Sequence, residues 1–262
     1  MKRYEAILKI EERYGEKMNV INLKNQTIAS QYLATELLKQ LKTKPDTVLG
    51  LATGSTMINV YKYLSELLNI NQIDLSRVVT FNLDEYIGLA PDHKQSYHVY
   101  MNEHLFKHND SWQKDNIHLP MGNAKDVVQE ARVYEQLLCD IGPADIQILG
   151  IGENGHIGFN EPYTSFDSVT SVVDLTPSTI KANSKYFETI ENVPKQAISM
   201  GLSSIMRAKR IILLALGEHK KEAIKQLLEG DISESLPASI LRQHTNVEVI
   251  VDDEIFQLNK YH

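Results

Sequence analysis

The chain has 262 residues, 42% of them hydrophobic and 23% charged, with a formal net charge of −7. That composition can bury a full core and excludes an intrinsically disordered chain; the negative charge excludes a non-specific nucleic-acid binder. No apolar run approaches the roughly 18–20 residues that cross a bilayer, and Glu11, Glu12 and Arg13 follow too soon for a secretory apolar region. No membrane partner and a cytoplasmic location are therefore expected. The single Cys139 cannot close an intrachain disulfide, which fits a reducing compartment, and it reads as buried filler in a helix.

The predicted elements alternate along the chain. Residues 27–42 form an amphipathic helix. Residues 48–51 form a buried strand, and 57–68 a helix with Val60, Leu64, Leu67 and Leu68 on one face. A strand at 78–81 precedes a helix at 96–106; a long helix at 127–141 precedes a strand at 146–149. The clearest strand is 210–215, followed by a helix at 218–228, and a strand at 247–251 closes the series. This alternation predicts an α/β fold with a mainly parallel sheet covered on both faces. No repeat and no long Pro/Gly/Ser linker interrupts it, so one domain is expected.

Parallel sheets of this kind bind ligands at the C-terminal ends of their strands. Four loops therefore matter: 52–56, 82–88, 150–162 and 217–220. The third contains Gly150-Ile-Gly-Glu-Asn-Gly155, which satisfies the G-x-G-x-x-G dinucleotide pattern. That pattern needs a helix starting inside it. Gly158 and Pro162 follow too closely to allow one, so no nicotinamide cofactor is expected. The alternative is a rigid loop presenting His156 and Glu161, because a carboxylate near an imidazole orients the ring and supports its charged form.

The other loops carry complementary groups. Thr53, Gly54, Ser55 and Thr56 join a strand to a helix and could hold a phosphate on backbone N–H groups and hydroxyls, or serve as an ordinary helix cap. Lys220 sits where a following helix begins. A cation there opposes the helix dipole, so a bound anion explains it better than helix stability. With a net negative chain, an anionic ligand must be captured by such local groups. Asp84 and Glu85 lie just past a strand end, positioned as base, metal ligand or turn former. No cluster of carboxylates suggests a metal. His104 and His108 stand four apart on a predicted helix away from the strand ends and read as solvated; Met200 and Met206 read as core.

Taken together, "LATGST", "TFNLDEYIGL", "QSYHVYM", "ILGIGENGHIGFNEP", "STIKANSKYF", "VPKQAISMG", "RIILLALGEHK" and "PASILRQH" resemble the glucosamine-6-phosphate deaminase family over roughly residues 18–251. The resemblance implies a three-layer α/β/α Rossmann-like fold without a nucleotide. It implies conversion of glucosamine 6-phosphate and water to fructose 6-phosphate and ammonia, with no cofactor or metal. It assigns Asp84 as the base between C2 and C1. It makes His156 the ring-opening group, helped by Glu161 and Asn154, and gives the phosphate to the 53–56 loop, Lys185 and Lys220. The expected partner is a small sugar phosphate, with a homo-oligomer left open.

The chain departs from the family's usual pattern in three places. Asn154 is an accepted variant of Asp. Lys185 replaces the usual Arg, exchanging a bidentate fork for a point charge. The stretch 165–176 lacks the basic residues with which some members bind an activator phosphate, and Val169, Ser171 and Val173 stand there instead. Residues 1–17, an extension of unknown role ahead of the domain at 18–262, fall outside the resemblance; Ile7, Ile10 and Tyr14 could form one face of an added helix, the alternative being an over-long choice of start. The rival readings are a sugar-phosphate isomerase or lactonase of the same fold, and a non-catalytic sugar-phosphate sensor. The sensor reading lacks room for a DNA-binding segment.

Overall fold

A computed structural model describes residues 10–14 and 18–256. In chain order its elements are β1 (Ile10–Tyr14), β2 (Met18–Asn22), α1 (Gln26–Thr43), β3 (Val48–Leu51), α2 (Ser55–Ile70), β4 (Val79–Asn82), β5 (Asp84–Tyr86), α3 (Tyr97–His104), β6 (Ile117–His118) and α4 (Val127–Ile141). Then follow β7 (Ile146–Leu149), β8 (Ser171–Asp174), α5 (Pro177–Asn183), β9 (Gln196–Ser199), α6 (Leu202–Met206), β10 (Ile211–Leu214), α7 (Lys221–Glu229), β11 (Val247–Val251) and α8 (Asp253–Phe256). No helix among the described residues is long and apolar enough to cross a membrane.

Eight strands form one sheet in the order β1-β2-β11-β10-β7-β3-β4-β6. Every neighbouring pair is parallel except β1 with β2. The inner strands β3, β7 and β10 are buried along their whole length, as strands covered on both faces must be. The expected α/β architecture is present, and the predicted strands and helices recur within a few residues of their expected ends.

Three differences have physical causes. Residues 10–14, expected to be helical, pair antiparallel with β2 in the register Ile10↔Asn22 to Tyr14↔Met18. The edge of β2 offers unpaired backbone groups that a helix would leave open; Ile7 lies outside the described residues. The segment 82–88, read as a loop, contains β5, which pairs with β9 in a separate antiparallel sheet ordered β5-β9-β8. Its Asp-Glu-Tyr sequence has no apolar alternation, and only the distant partner β9 makes it a strand. Cys139, expected to be buried, is exposed. The inward stripe of α4 is Ala131, Tyr134 and Leu138, and Cys139 falls one position past it, where Arg207 donates to its Sγ at 3.1 Å.

The strand order fixes the site. From β3 the chain moves outward through β4 to β6, whereas from β7 it moves the other way through β10 to β11. Adjacent strands β3 and β7 therefore send their following loops in opposite directions, and a crevice opens between them.

Candidate active site

A cavity of about 590 Å³ lies at that crevice. All four loops singled out in the sequence contribute to it, joined by α3 and α5. Thr53, Gly54, Ser55, Thr56, Asp84, Asn154, His156, Lys185 and Lys220 all line it. Glu161 does not; it stands behind His156, buried.

One end of the cavity suits an anion. Helix α2 starts at Ser55, earlier than predicted, so both Ser55 and Thr56 lie in its first turn. Gly54 caps it at φ 111°, a backbone conformation that favours glycine. Its carbonyl accepts from Met57 N–H at 3.0 Å and from the Tyr100 hydroxyl at 2.7 Å. The N–H groups of Ser55 and Thr56 have no backbone acceptor among the described residues. Lys220 ends a short 3-10 turn, Glu218–Lys220, after Gly217. Burial lowers its pKa; Glu153 opposes this and the nearby Lys185 adds to it. Two cations facing one pocket, one of them partly desolvated, favour a dianionic ligand.

Asp84 forms another part of the wall. It is 6% exposed, and burial, reinforced by the Glu85 charge, pushes its pKa up to about 8. An aromatic cluster supplies apolar surroundings in this part of the fold: Tyr86 lies 4.9 Å from Tyr97 and 5.5 Å from Phe159, ring centre to ring centre. Glu85, on the alternate face of β5, has a different role. Its carboxylate accepts N–H bonds from Tyr86, Tyr97 and His98 at 2.8, 2.8 and 3.1 Å. It thus caps α3 rather than facing the cavity, although burial still pushes it up to about 7.

The loop after β7 contains no helix, in agreement with the failed dinucleotide pattern. Gly152 is required because a Cβ there would stand 2.2 Å from the His156 ring. His156 Nδ1 lies 2.7 Å from Asn154 Oδ1, which also accepts the His156 backbone N–H at 3.2 Å. Asn154 Nδ2 in turn donates to Glu161 Oε2 at 2.8 Å. The carboxylate thus reaches the ring mainly through Asn154, with a direct Nδ1–Oε2 separation of 3.6 Å. Glu161 Oε1 accepts from Thr176 at 3.0 Å and from Thr179. Burial would raise the Glu161 carboxyl, but its contacts with His156, Thr179 and Asn154 hold it down at about 2. An ionised Glu161 fixes the Asn154 amide, and the Asn154 oxygen fixes the proton on Nδ1. The lone pair at Nε2 is then available as a base.

Several site residues were missing from the sequence reading. His104 was placed away from the strand ends, but α3 brings it to the cavity wall, 4.6 Å from the Tyr100 ring. His108 lies beyond the end of that helix, in a 3-10 turn, so the two histidines do not share a helical face. No group of three or more His, Cys, Asp or Glu placed to hold a metal occurs among the described residues. Helix α5 was also missed, although Thr176-Pro177 is a legible helix start, with a capping hydroxyl followed by proline at the first position. It brings Ser178, Thr179, Ala182 and Asn183 to the wall.

Comparison with known proteins agrees with this geometry. Residues 25–251 match the family model described as glucosamine-6-phosphate isomerases/6-phosphogluconolactonase. The glucosamine-6-phosphate deaminase of Staphylococcus haemolyticus (strain JCSC1435) is 65% identical over 239 residues, covering 91% of this chain and 99% of that protein. A Staphylococcus epidermidis protein of the same name is 58% identical, covering 90% and 98%. A solved structure of a monomeric glucosamine-6-phosphate deaminase superimposes with a TM-score of 0.89 at 46% identity, covering 91% of this chain and 99% of that chain. The 6-phosphogluconolactonase from Trypanosoma cruzi, at 18% identity and a TM-score of 0.74 over 97% of this chain and 100% of that one, shares the fold. With the matched segment spanning every loop of the cavity, the chain belongs to the glucosamine-6-phosphate isomerase/6-phosphogluconolactonase family.

Proposed function

We infer that this protein converts glucosamine 6-phosphate and water to fructose 6-phosphate and ammonia. The observation that carries the reading is the joint placement, in one cavity, of a buried carboxylate, a histidine with an oriented ring and a separate cationic end. Close relatives over nearly the whole chain bear the name of that activity. The match over 25–251 supports treating 18–262 as one catalytic unit.

In this reading Ser55, Thr56, Lys220 and Lys185 hold the phosphate, with Thr53 and Gly54 shaping the loop. The sugar must open first, because only the open aldehyde acidifies the C2 proton. His156 Nε2 takes the proton of the C1 hydroxyl and a proton is returned to the ring oxygen, a transfer suited to imidazole near neutral pH. Asp84 then removes the C2 proton and delivers it to C1. An amine proton passes to the C1 oxygen, C2 becomes an imine, and water hydrolyses it to the ketone, releasing ammonia.

Burial makes Asp84 a stronger base than an exposed carboxylate, and the substrate's own ammonium at C2 would favour its ionised form on binding. The test is a substrate panel. Glucosamine 6-phosphate should turn over, glucosamine should be used far less well, and 6-phosphogluconolactone should not be hydrolysed. Faster hydrolysis of the lactone would move the assignment to the lactonase branch.

A further inference from the structure

We propose that Thr179 is a positioning residue for the ring-opening step: it holds Glu161 so that Asn154 keeps its carbonyl oxygen, and not its amide nitrogen, against His156. The proposal rests on the deaminase reading above.

The argument starts from Asn154. Its side-chain amide has two ends of nearly equal size, one donating and one accepting. Turned one way, Oδ1 accepts from His156 Nδ1–H and leaves Nε2 unprotonated. Turned the other way, the NH2 group faces Nδ1 and the proton must sit on Nε2, where it blocks the base. Two contacts separate these states: the His156 backbone N–H, which donates to Oδ1 at 3.2 Å, and a shorter one at the far end of the amide. The far-end partner is Glu161 Oε2, which accepts from Asn154 Nδ2 at 2.8 Å. The backbone contact alone is the longer of the two, so a full preference for this orientation needs the carboxylate held in place.

The other carboxylate oxygen is where Glu161 is held. Oε1 has two hydroxyl neighbours, Thr176 and Thr179. Thr176 has one proton and three acceptors within reach: Glu161 Oε1 at 3.0 Å, Ser178 Oγ at 2.9 Å and Thr179 Oγ1 at 3.1 Å. It also serves as the N-cap of α5. Thr179 is buried, and its hydroxyl has Glu161 as its only acceptor among the described residues. It is the committed donor. It is also carried by α5, which lines the cavity and runs into the turn bearing Lys185. One short segment thus carries both a phosphate cation and the anchor of the histidine relay.

The experiment compares Thr179→Val, which matches the shape but cannot donate, with Thr179→Ser, which restores the hydroxyl. Thr179→Val should lower kcat for glucosamine 6-phosphate by roughly 10- to 100-fold, the range seen when the outer partner of a ligating histidine is lost. KM should change by less than about threefold, as fits an interaction that acts only on the chemical step. Thr179→Ser should recover most of the rate. A merely structural role would lower stability and leave the protonation of the His156 ring nitrogens as it is.

A second measurement needs no turnover. ¹⁵N NMR of the substrate-free protein, with the His156 signals assigned through His156→Gln, should show the Nδ1–H tautomer in the wild type and a mixture in Thr179→Val. Thr179→Ala removes the donor without an added methyl contact and serves the same comparison if the valine variant does not fold. An unchanged tautomer in the non-donating variant would overturn the proposal, as would a serine variant as defective as valine. Failure of the wild type to release ammonia would instead strike the deaminase reading and leave the tautomer result to be judged separately.

Discussion

Replacing Asp84 with Asn keeps the shape of the side chain and removes the carboxylate proposed to take the C2 proton. Two effects of opposite sign should follow. A general base contributes roughly 10²- to 10⁴-fold, or about 3–5 kcal/mol of barrier, so kcat should fall by that factor with little change in KM. Stability should move the other way. The Asp84 carboxyl is 6% exposed and its pKa is pushed up to about 8 by burial and by Glu85. Below about pH 4 the carboxyl is neutral in both the folded and the unfolded chain, and the substitution costs nothing electrostatically. As pH rises, the unfolded chain ionises first while the folded chain retains its proton up to about 8. The wild type therefore loses stability across that window and the amide variant does not. A difference of about 1 kcal/mol moves Tm by roughly 2–4 °C in a protein of this size. Asp84→Asn should thus melt at least ~3 °C higher than the wild type at pH 8, with the gap closing at pH 4. Steady-state kinetics, exchange of the C2 hydrogen in deuterated solvent and thermal melts at the two pH values check this. Normal C2 exchange in the variant would place the base elsewhere, and a lower Tm at pH 8 would refute the account of Asp84's burial.

Four further outcomes are expected. Lys220→Ala should raise KM by about 10- to 150-fold, since a charge-assisted hydrogen bond contributes roughly 1.5–3 kcal/mol; an unchanged KM would remove Lys220 from the phosphate site. Lys185→Arg should retain or improve kcat/KM, because a guanidinium can grip two phosphate oxygens, and a large loss would show that the turn at 184–186 has no room for it. His156→Gln should be slow on glucosamine 6-phosphate but recover much of its rate on an open-chain analogue, which Asp84→Asn should not; equal defects would merge the two roles. Rate against substrate should be hyperbolic, and N-acetylglucosamine 6-phosphate should not activate, because β8 presents Ser171 and Val173 and no cation between Ser165 and Leu175. A sigmoidal curve straightened by that sugar would reveal another activator site.

The parallel sheet was legible because its inner strands are short apolar runs between periodic helices, as at Ile146–Leu149 and Ile211–Leu214. The site loops were legible because parallel strands place their following loops at one edge. What escaped depends on distant partners. β5 is a strand only through β9, more than a hundred residues away, so the environment that raises Asp84 could not be read locally. The place of Glu161 was half legible: its nearness to His156 in sequence suggested a direct pair, but the turn at Gly155 and Gly158 puts Asn154 between them. Thr176 and Thr179 join the site through the fold of α5 over the cavity. His104 was misplaced because a helix's position in sequence does not reveal which edge of the sheet its end approaches.

The most direct test mixes the wild-type protein with glucosamine 6-phosphate alone, without added metal or cofactor, and quantifies ammonium and fructose 6-phosphate in the same sample. The account predicts that both appear together in a 1:1 ratio, and that Asp84→Asn forms neither at a comparable rate. Saturable binding of glucosamine 6-phosphate with no ammonium released would contradict it and leave the cavity a sensor of sugar phosphates.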